Sequence, residues 1–129
     1  MLKKIIVTGG DGRFARELKK MKTKYALAVT SGTSAIKIGL KALGVKPGDE
    51  VITADFTFAA TVEVIALLQL TPVLVDVNED DFNINIEAVK RAITPKTKAI
   101  VPVHLFGQCA NMEAIMEIAK AHDLFVIED

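Results

Sequence analysis

Short apolar runs alternate with helix-forming segments along the whole chain, and this alternation restricts the fold more than any other feature. Most of the runs are continuously apolar, which is typical of strands that are covered on both faces. The predicted strands are Ile5–Val7, Ala26–Val29, Glu50–Thr53, Pro72–Val77, Ala99–Val103 and Leu124–Ile127, and the predicted helices span 12–18, 33–43, 57–69, 85–93 and 111–122. Strands and helices in this order favour a parallel sheet with right-handed crossovers. The sequence therefore predicts an α/β fold, a three-layer α/β/α sandwich with a mainly parallel sheet.

The length of 129 residues is that of one domain with its own core. We expect a single α/β domain over 1–129, in which 1–23 form a Rossmann-like strand, turn and helix and 24–129 form the rest. We also expect the N-terminal strand to join the sheet made by the other strands. Gly44 is a good helix stop, and Asn111 is a good cap for the last helix.

The charge balance and the apolar runs exclude several classes of protein. The 16 basic residues equal the 16 acidic residues in number, so the chain has no overall attraction to nucleic acid or to an anionic membrane surface. Runs such as Val64–Leu68 are too short to span a bilayer, and Ile5–Val7 is too short for a signal peptide. The single cysteine, Cys109, excludes an internal disulfide and a multi-cysteine metal site. We expect a cytoplasmic protein without a metal site.

The first strand runs into a glycine-rich turn, Thr8–Ala15. Gly9 and Gly12 would let the backbone approach a phosphate, and the N–H groups at the start of the next helix would attract an anion. The turn resembles the opening of the extended short-chain dehydrogenases, whose pattern is TGxxGxxG, with Ala15 in place of the third glycine. A dinucleotide site also needs a charged residue about 20 positions further on, and 28–31 offer none. A structural glycine turn and a bound dinucleotide both stay open as interpretations.

A second resemblance rests on a series of motifs spread over residues 24–129. The motifs are Tyr25–Ala35, Pro47–Thr53, Phe56–Thr61, Thr71–Val77, Ile93–Ile100, Pro102–Gln108 and Val126–Asp129. In this order they resemble the DegT/DnrJ/EryC1/StrS family of sugar aminotransferases, which use pyridoxal phosphate (PLP) and have the fold-type I architecture. The resemblance implies transfer of an amino group to a keto-sugar nucleotide, in a site that is built between two subunits.

The resemblance assigns cofactor contacts to five residues. Gly32, Thr33 and Ser34 lie at a strand-to-helix junction, and in the family this segment grips the PLP phosphate with N–H groups and hydroxyls. The same segment would also cap the following helix, and the two roles are compatible. Phe58 corresponds to the aromatic residue that stacks on the pyridine ring, whereas without the resemblance it would be assigned to the core. Asp129 corresponds to the aspartate that pairs with the pyridine nitrogen.

Other polar residues near the strand ends have structural interpretations. We expect His104 to be a hydrogen-bonding loop residue, because no second metal ligand stands near it in the sequence. Glu128 is interpreted as structural, and 78–81 as a solvated acidic turn. We expect Asp129 to contribute little to cofactor binding here, because a last residue frays and carries a second carboxylate.

Three departures from the family pattern predict a fragment. The lysine that holds PLP covalently in the family lies beyond the aspartate, so no catalytic residue is predicted in this sequence. The family's N-terminal segment is replaced by the dehydrogenase-like strand and helix, which indicates a chimera joined near Met21–Lys24. Two strands that separate the first strand from the strand before Asp129 are missing, and Ile5–Val7 or a partner chain could fill that gap. Exposed apolar surface then favours a homo-oligomer.

These observations leave three functions open. The first is a fragment derived from a PLP-dependent sugar aminotransferase, inactive by itself, that binds PLP weakly or not at all. The second is a nucleotide- or phosphate-binding Rossmann-like module that uses Gly9 and Gly12. The third is an engineered fold without a ligand. The missing ribose-binding residue argues against the second function, and the missing lysine argues against an active form of the first.

Overall fold

The computed structural model describes residues 6–9 and 26–129. Its elements in chain order are β1 (Ile6–Gly9), β2 (Ala26–Val29), α1 (Gly32–Ala42), β3 (Glu50–Ala54), α2 (Ala59–Leu67), β4 (Thr71–Val75), α3 (Ile86–Ala92), β5 (Thr97–Val101), a 3₁₀ turn (Leu105–Gly107), α4 (Met112–Ala121) and β6 (Phe125–Val126). The α/β fold with a mainly parallel sheet is confirmed. The predicted helix at 12–18, Gly12 and the join near Met21–Lys24 lie outside the described residues. Within these residues, no helix is long and apolar enough to cross a membrane.

The strands form two parallel sheets instead of the single sheet that we expected. One sheet has the order β4–β3–β5–β6, and β1 and β2 form a second sheet of two strands. The expectation that the N-terminal strand joins the main sheet is therefore wrong for the described residues. The reason lies in α1, which contacts β1 and β2 and also packs against α2 and the main sheet. A helix, and not a hydrogen-bonded strand, connects the two sheets.

Both faces of the four-stranded sheet are covered by helices. Neighbouring residues of one strand point to opposite faces, so Val51 and Val101 lie in one apolar cluster while Ile52 and Ile100 lie in the other. The first cluster is completed by side chains of α1 and α2, and the second by side chains of α3 and α4. All four strand residues are fully buried. Strands that are buried on both faces have no polar side, which explains the continuous apolar runs of the sequence.

Side-chain caps begin three of the four described helices. Ser31, Asn85 and Asn111 each accept a hydrogen bond from the N–H three residues further on, at 3.1, 2.9 and 3.2 Å. Gly44 follows the end of α1 with a φ of 74°, in the left-handed region that favours glycine. The predicted cap at Asn111 and the predicted stop at Gly44 are confirmed.

Candidate functional site at the carboxyl ends of the strands

The candidate cofactor-binding residues of the sequence analysis follow three strand ends. β2 leads into Thr30–Ser34 at the start of α1, β3 leads to Phe58 at the start of α2, and β6 leads to Asp129. β3, β5 and β6 are parallel, so their carboxyl ends lie along the edge of the sheet where α/β proteins bind ligands. α1 and α2 cover the same face of this sheet. A Cβ placed on Gly39 of α1 would come within 3.3 Å of Cδ1 of Ile127, so α1 packs closely on the strand that ends in the aspartate.

Three hydroxyl groups converge at the start of α1. Ser31 Oγ accepts a hydrogen bond from the Ser34 N–H (3.1 Å) and donates one to Ser34 Oγ (3.1 Å), and Thr30 Oγ1 lies 3.3 Å from Ser34 Oγ. Ser31 is the N-cap, which confirms the capping role of this segment. Thr33 is exposed beside this network, and a Cβ placed on Gly32 would meet nothing within 4 Å. The segment is therefore open to an approaching anion, which the N–H groups of a first helical turn attract.

The two candidate phosphate turns begin at the ends of neighbouring strands. β1 and β2 pair in parallel with Gly9 opposite Val29, so the end of β1 lies beside the strand that leads into Ser31. Paired strands are about 4.8 Å apart. The carboxyl ends of β1 and β2, at Gly9 and Val29, are therefore adjacent. Gly12 lies outside the described residues.

Asp129 is held by three hydrogen bonds. Its N–H donates to the carbonyl oxygen of Pro102 (2.9 Å), and its carbonyl oxygen accepts from the N–H of His104 (2.8 Å). Its Oδ2 accepts a hydrogen bond from Thr61 Oγ1 at 2.6 Å. The expectation that Asp129 frays is wrong, because the pairing with 102–104 fixes its backbone and Thr61 orients its carboxylate. Its small contribution to cofactor binding stays a prediction.

Thr61 is a site residue that the sequence analysis missed. It lies in the first turn of α2, is 1% exposed, and its N–H donates to the carbonyl oxygen of Phe58 at 3.0 Å. Thr61 Oγ1 accepts a hydrogen bond from Thr57 Oγ1 at 3.3 Å, and its own hydroxyl hydrogen is donated to Asp129. A threonine in the otherwise largely apolar stretch Ala59–Leu67 was a usable signal, because a buried hydroxyl needs a partner. The sequence pattern could not identify Asp129 as the partner, because Asp129 lies 68 positions further along the chain.

Phe58 is not a core residue. Its side chain is 80% exposed, and it occupies the N-cap position of α2 without a side-chain capping bond. Burial is the usual reason for a phenylalanine at a helix start, and the exposure excludes that reason here. An exposed phenyl face can stack against another aromatic ring.

Three further rings form what we call the phenylalanine cluster, made of Phe56, Phe82 and Phe106. The ring centroid of Phe56 lies 5.5 Å from that of Phe82 and 6.4 Å from that of Phe106, and the centroids of Phe82 and Phe106 are 6.2 Å apart. Phe106 is 74% exposed. Phe82 and Phe106 have φ values of 56° and 52°, a left-handed conformation that costs a non-glycine residue on the order of 1 kcal/mol or more. Two strained backbones thus hold apolar rings at the surface.

His104 joins two segments of chain. Its Nε2 lies 3.1 Å from Glu128 Oε2, and its Nδ1 accepts a hydrogen bond from the N–H of Ala110 at 3.2 Å. The prediction that His104 is a hydrogen-bonding loop residue is confirmed. Glu128, interpreted as structural, is its partner.

The acidic turn after β4 borders an open depression of about 730 Å³, lined by 76–82 and Asn85. The turn 78–81 carries three carboxylates, of which Glu79 and Asp80 are exposed, and this confirms the prediction of a solvated turn. The pKa of Asp81 is lowered because the backbone N–H of Asn83, and then the side-chain amide of Asn78, donate hydrogen bonds to its carboxylate. Ionised carboxylates repel phosphate, so this depression does not suit an anion.

A phosphorylated aromatic cofactor with a ring nitrogen is suited by a helix start with free N–H groups, an exposed ring and an oriented carboxylate. Comparison with known families identifies the class of protein to which this site belongs. The model of the DegT/DnrJ/EryC1/StrS aminotransferase family matches residues 5–129, and the chain belongs to this family.

Individual relatives support this assignment. The chain is 50% identical over 106 residues to UDP-2-acetamido-2-deoxy-3-oxo-D-glucuronate aminotransferase of Pseudomonas aeruginosa, a match that covers 82% of this chain and 30% of that protein. It is 43% identical over 123 residues to GDP-perosamine synthase of Caulobacter vibrioides, covering 92% of this chain and 33% of that protein. The crystal structure of NtdA from Bacillus subtilis with bound cofactor PMP matches with a TM-score of 0.86 and 42% identity, covering 94% of this chain and 28% of that one. The chain therefore spans about a third of the length of these relatives.

The family match begins earlier than the motifs indicated. It starts at residue 5 and so includes most of 1–23, the segment that we compared with a short-chain dehydrogenase. No finding supports a dehydrogenase origin for this segment, and none supports a chimera. The motifs missed this part of the match because none of those that carry the resemblance lies before Tyr25.

We expect Thr61→Val to lower the free energy of unfolding by about 1–2 kcal/mol, because it removes a hydrogen bond to a carboxylate while keeping the side-chain shape. Urea unfolding measures the change. Thr57→Val is the matched control and should cost less than about 0.5 kcal/mol, because its own bond is long and more exposed. Equal costs for the two variants would show that the Thr61–Asp129 bond does not stabilise the fold.

Proposed function

We propose that residues 24–129 hold pyridoxal phosphate in a sugar aminotransferase. In this proposal 32–34 bind the phosphate, Phe58 stacks on the ring, and Asp129 meets the ring nitrogen. The observation that carries the proposal is the 2.6 Å hydrogen bond from Thr61 to Asp129, because it ties the carboxylate to the helix on which Phe58 lies. When bound, PLP supplies a ring that accepts electrons during amino transfer.

The start of α1 fits the phosphate. Gly32 leaves the backbone open, Thr33 is exposed, and Ser34 Oγ belongs to a network of hydroxyls that can turn toward an anion. No acidic residue lies in the first turn of α1 to oppose a negative charge. The positive end of the helix dipole then favours a phosphate by up to about 1 kcal/mol.

The two residues proposed to contact the pyridine ring, Phe58 and Asp129, are both positioned by the first turn of α2. A carboxylate beside the ring nitrogen keeps that nitrogen protonated. Thr61 directs the carboxylate of Asp129, and its N–H bond to Phe58 keeps the aromatic residue in the same turn. Phe58 and Asp129 therefore have a common support, which suits two groups that act on one ring.

The substrate class is proposed from the relatives. Two of them are an aminotransferase of a UDP-linked 3-oxo sugar and a GDP-perosamine synthase. We therefore assign keto-sugar nucleotides as the acceptors of the amino group.

We also propose that the 129 residues do not transfer amino groups by themselves. The described lysines are all exposed, namely Lys37, Lys41, Lys46, Lys90, Lys96, Lys98 and Lys120. All except Lys37 lie near the amino end of a strand or in the last turns of a helix, which is the edge opposite the proposed site. Neither a hydroxyl network nor an aromatic ring replaces the amine that forms the covalent link to the cofactor.

We expect the double variant Thr33→Val, Ser34→Ala to weaken binding of both inorganic phosphate and pyridoxamine phosphate by about tenfold, from a dissociation constant between about 1 mM and 1 μM. Pyridoxamine phosphate is an amine and forms no covalent bond with lysine, so it reports the contacts alone. NMR titration of the backbone amides gives both affinities. Thr71→Val, which changes an exposed threonine at the start of β4, is the matched control and should change neither affinity.

Gly32→Ala provides an independent variant of the same site. Its Cβ would meet no described atom outside its own helical turn within 4 Å, so the fold should be unaffected while the methyl group obstructs the anion. Shifts of equal size in the wild type and in the double variant, or shifts centred on Gly9, would move the anion to the first glycine turn. That result would favour the phosphate-binding module over the aminotransferase site.

We expect no transfer of an amino group from glutamate to a UDP-linked keto sugar above the rate given by free PLP. Apart from Lys37, the described lysines lie at the edge opposite the proposed site, so none of those six supplies the nucleophile there. Chromatography of the sugar nucleotides after incubation measures the product. Turnover that exceeds free PLP and disappears in the Thr33→Val, Ser34→Ala variant would contradict the proposed inactivity.

A further proposal is that the chain self-associates through the phenylalanine cluster. Its rings are exposed at the carboxyl edge, whereas the β4 edge carries Pro72, which limits strand pairing there. We expect the sedimentation coefficient to rise with concentration, and Phe56→Ser with Phe106→Ser to suppress the rise. Leu67→Ser, which alters another exposed apolar side chain, is the control. A monomer at every concentration would contradict the proposal.

A further inference from the structure

The hydrogen bonds of His104 define its protonated nitrogen. Nδ1 accepts from the N–H of Ala110 (3.2 Å), which requires a lone pair on that nitrogen. The proton of the neutral ring is therefore on Nε2, which faces Glu128 Oε2 at 3.1 Å. His104 is thus a donor to Glu128 and an acceptor from Ala110, and it links the loop after β5 to the end of the β6 segment.

His104 contacts both residues of the strand end. Its ring bonds to Glu128, and its backbone N–H donates to the carbonyl oxygen of Asp129 at 2.8 Å. Beyond β6 the segment stays paired, because the N–H groups of Ile127 and Asp129 donate to the carbonyl oxygens of Ile100 and Pro102. Side chains of neighbouring residues in such an extended segment point to opposite faces. The side chain of Asp129 meets Thr61 on the face covered by α2, so Glu128 and His104 lie on the other side of the same backbone.

We propose that His104 is a positioning residue for Asp129 and acts through Glu128. The bond to Glu128 prevents the strand end from rotating about its axis, and so keeps the Asp129 carboxylate directed at the ring nitrogen of the cofactor. This inference rests on the proposed function of Asp129. Thr61 holds the carboxylate from one face, and His104 holds the backbone from the other.

Two variants of His104 separate its two hydrogen bonds. The amide of glutamine reaches the position of Nε2, so His104→Gln keeps a donor to Glu128. The amide of asparagine reaches only the position of Nδ1, so His104→Asn keeps an acceptor for Ala110 and loses the bond to Glu128. His122→Asn is the matched control, because His122 is the other histidine of the chain and is exposed at the end of α4.

The test measures binding of pyridoxamine phosphate and of inorganic phosphate to the whole 129-residue chain. We expect His104→Asn to weaken pyridoxamine phosphate binding by about fivefold to tenfold and to leave phosphate binding unchanged, because only the former ligand has a ring nitrogen. His104→Gln should restore most of the affinity, and His122→Asn should match the wild type. The side-chain ¹³C resonance of Asp129 should shift in His104→Asn and not in His104→Gln.

The outcomes distinguish this inference from the proposed function. Loss of affinity for both ligands in His104→Asn would indicate general damage to the fold and would overturn the positioning role. Unchanged affinity for pyridoxamine phosphate in His104→Asn would overturn it as well. If the wild type binds neither ligand, the proposed function fails, and the positioning role fails with it.

Discussion

The fold depends on the burial of both faces of the four-stranded sheet. Val51, Ile52, Ile100 and Val101 are fully enclosed between two layers of helices, and each such side chain contributes roughly 1.5–3 kcal/mol by leaving water. Because the strands are parallel and paired at a constant spacing, the same packing also aligns their carboxyl ends. The burial of apolar side chains in the core therefore brings the polar residues that follow the strands to one edge of the sheet.

Polar contacts at that edge then decide the direction of individual groups. A single hydrogen bond contributes only about 0.5–1.5 kcal/mol net, so the bonds around Asp129 are small beside the core. Their importance is geometric, because three of them fix both the backbone and the carboxylate of one residue. The buried hydroxyl of Thr61 gives the strongest constraint, since a buried donor without a partner would itself be costly.

α1 connects this edge to the N-terminal part of the chain. Leu40 is fully buried in the cluster shared with the main sheet, and Gly39 allows the helix to approach Ile127 closely. The hydroxyls at the start of α1 are thus held by packing near its middle. The same helix contacts β1 and β2, whose carboxyl ends are paired side by side.

The sequence alone determined the pattern of elements and the local chemistry. Continuous apolar runs predicted the ends of every described strand to within two residues, and Gly44 and Asn111 marked helix ends because caps and stops depend on neighbours in the chain. The family motifs selected 32–34, Phe58 and Asp129. The separation of β1 and β2 from the main sheet, the exposure of Phe58 and the bond from Thr61 to Asp129 were decided only by the tertiary structure. Those features depend on contacts between residues far apart in the chain, and a local pattern contains no information on which distant group a buried hydroxyl or an edge strand will meet.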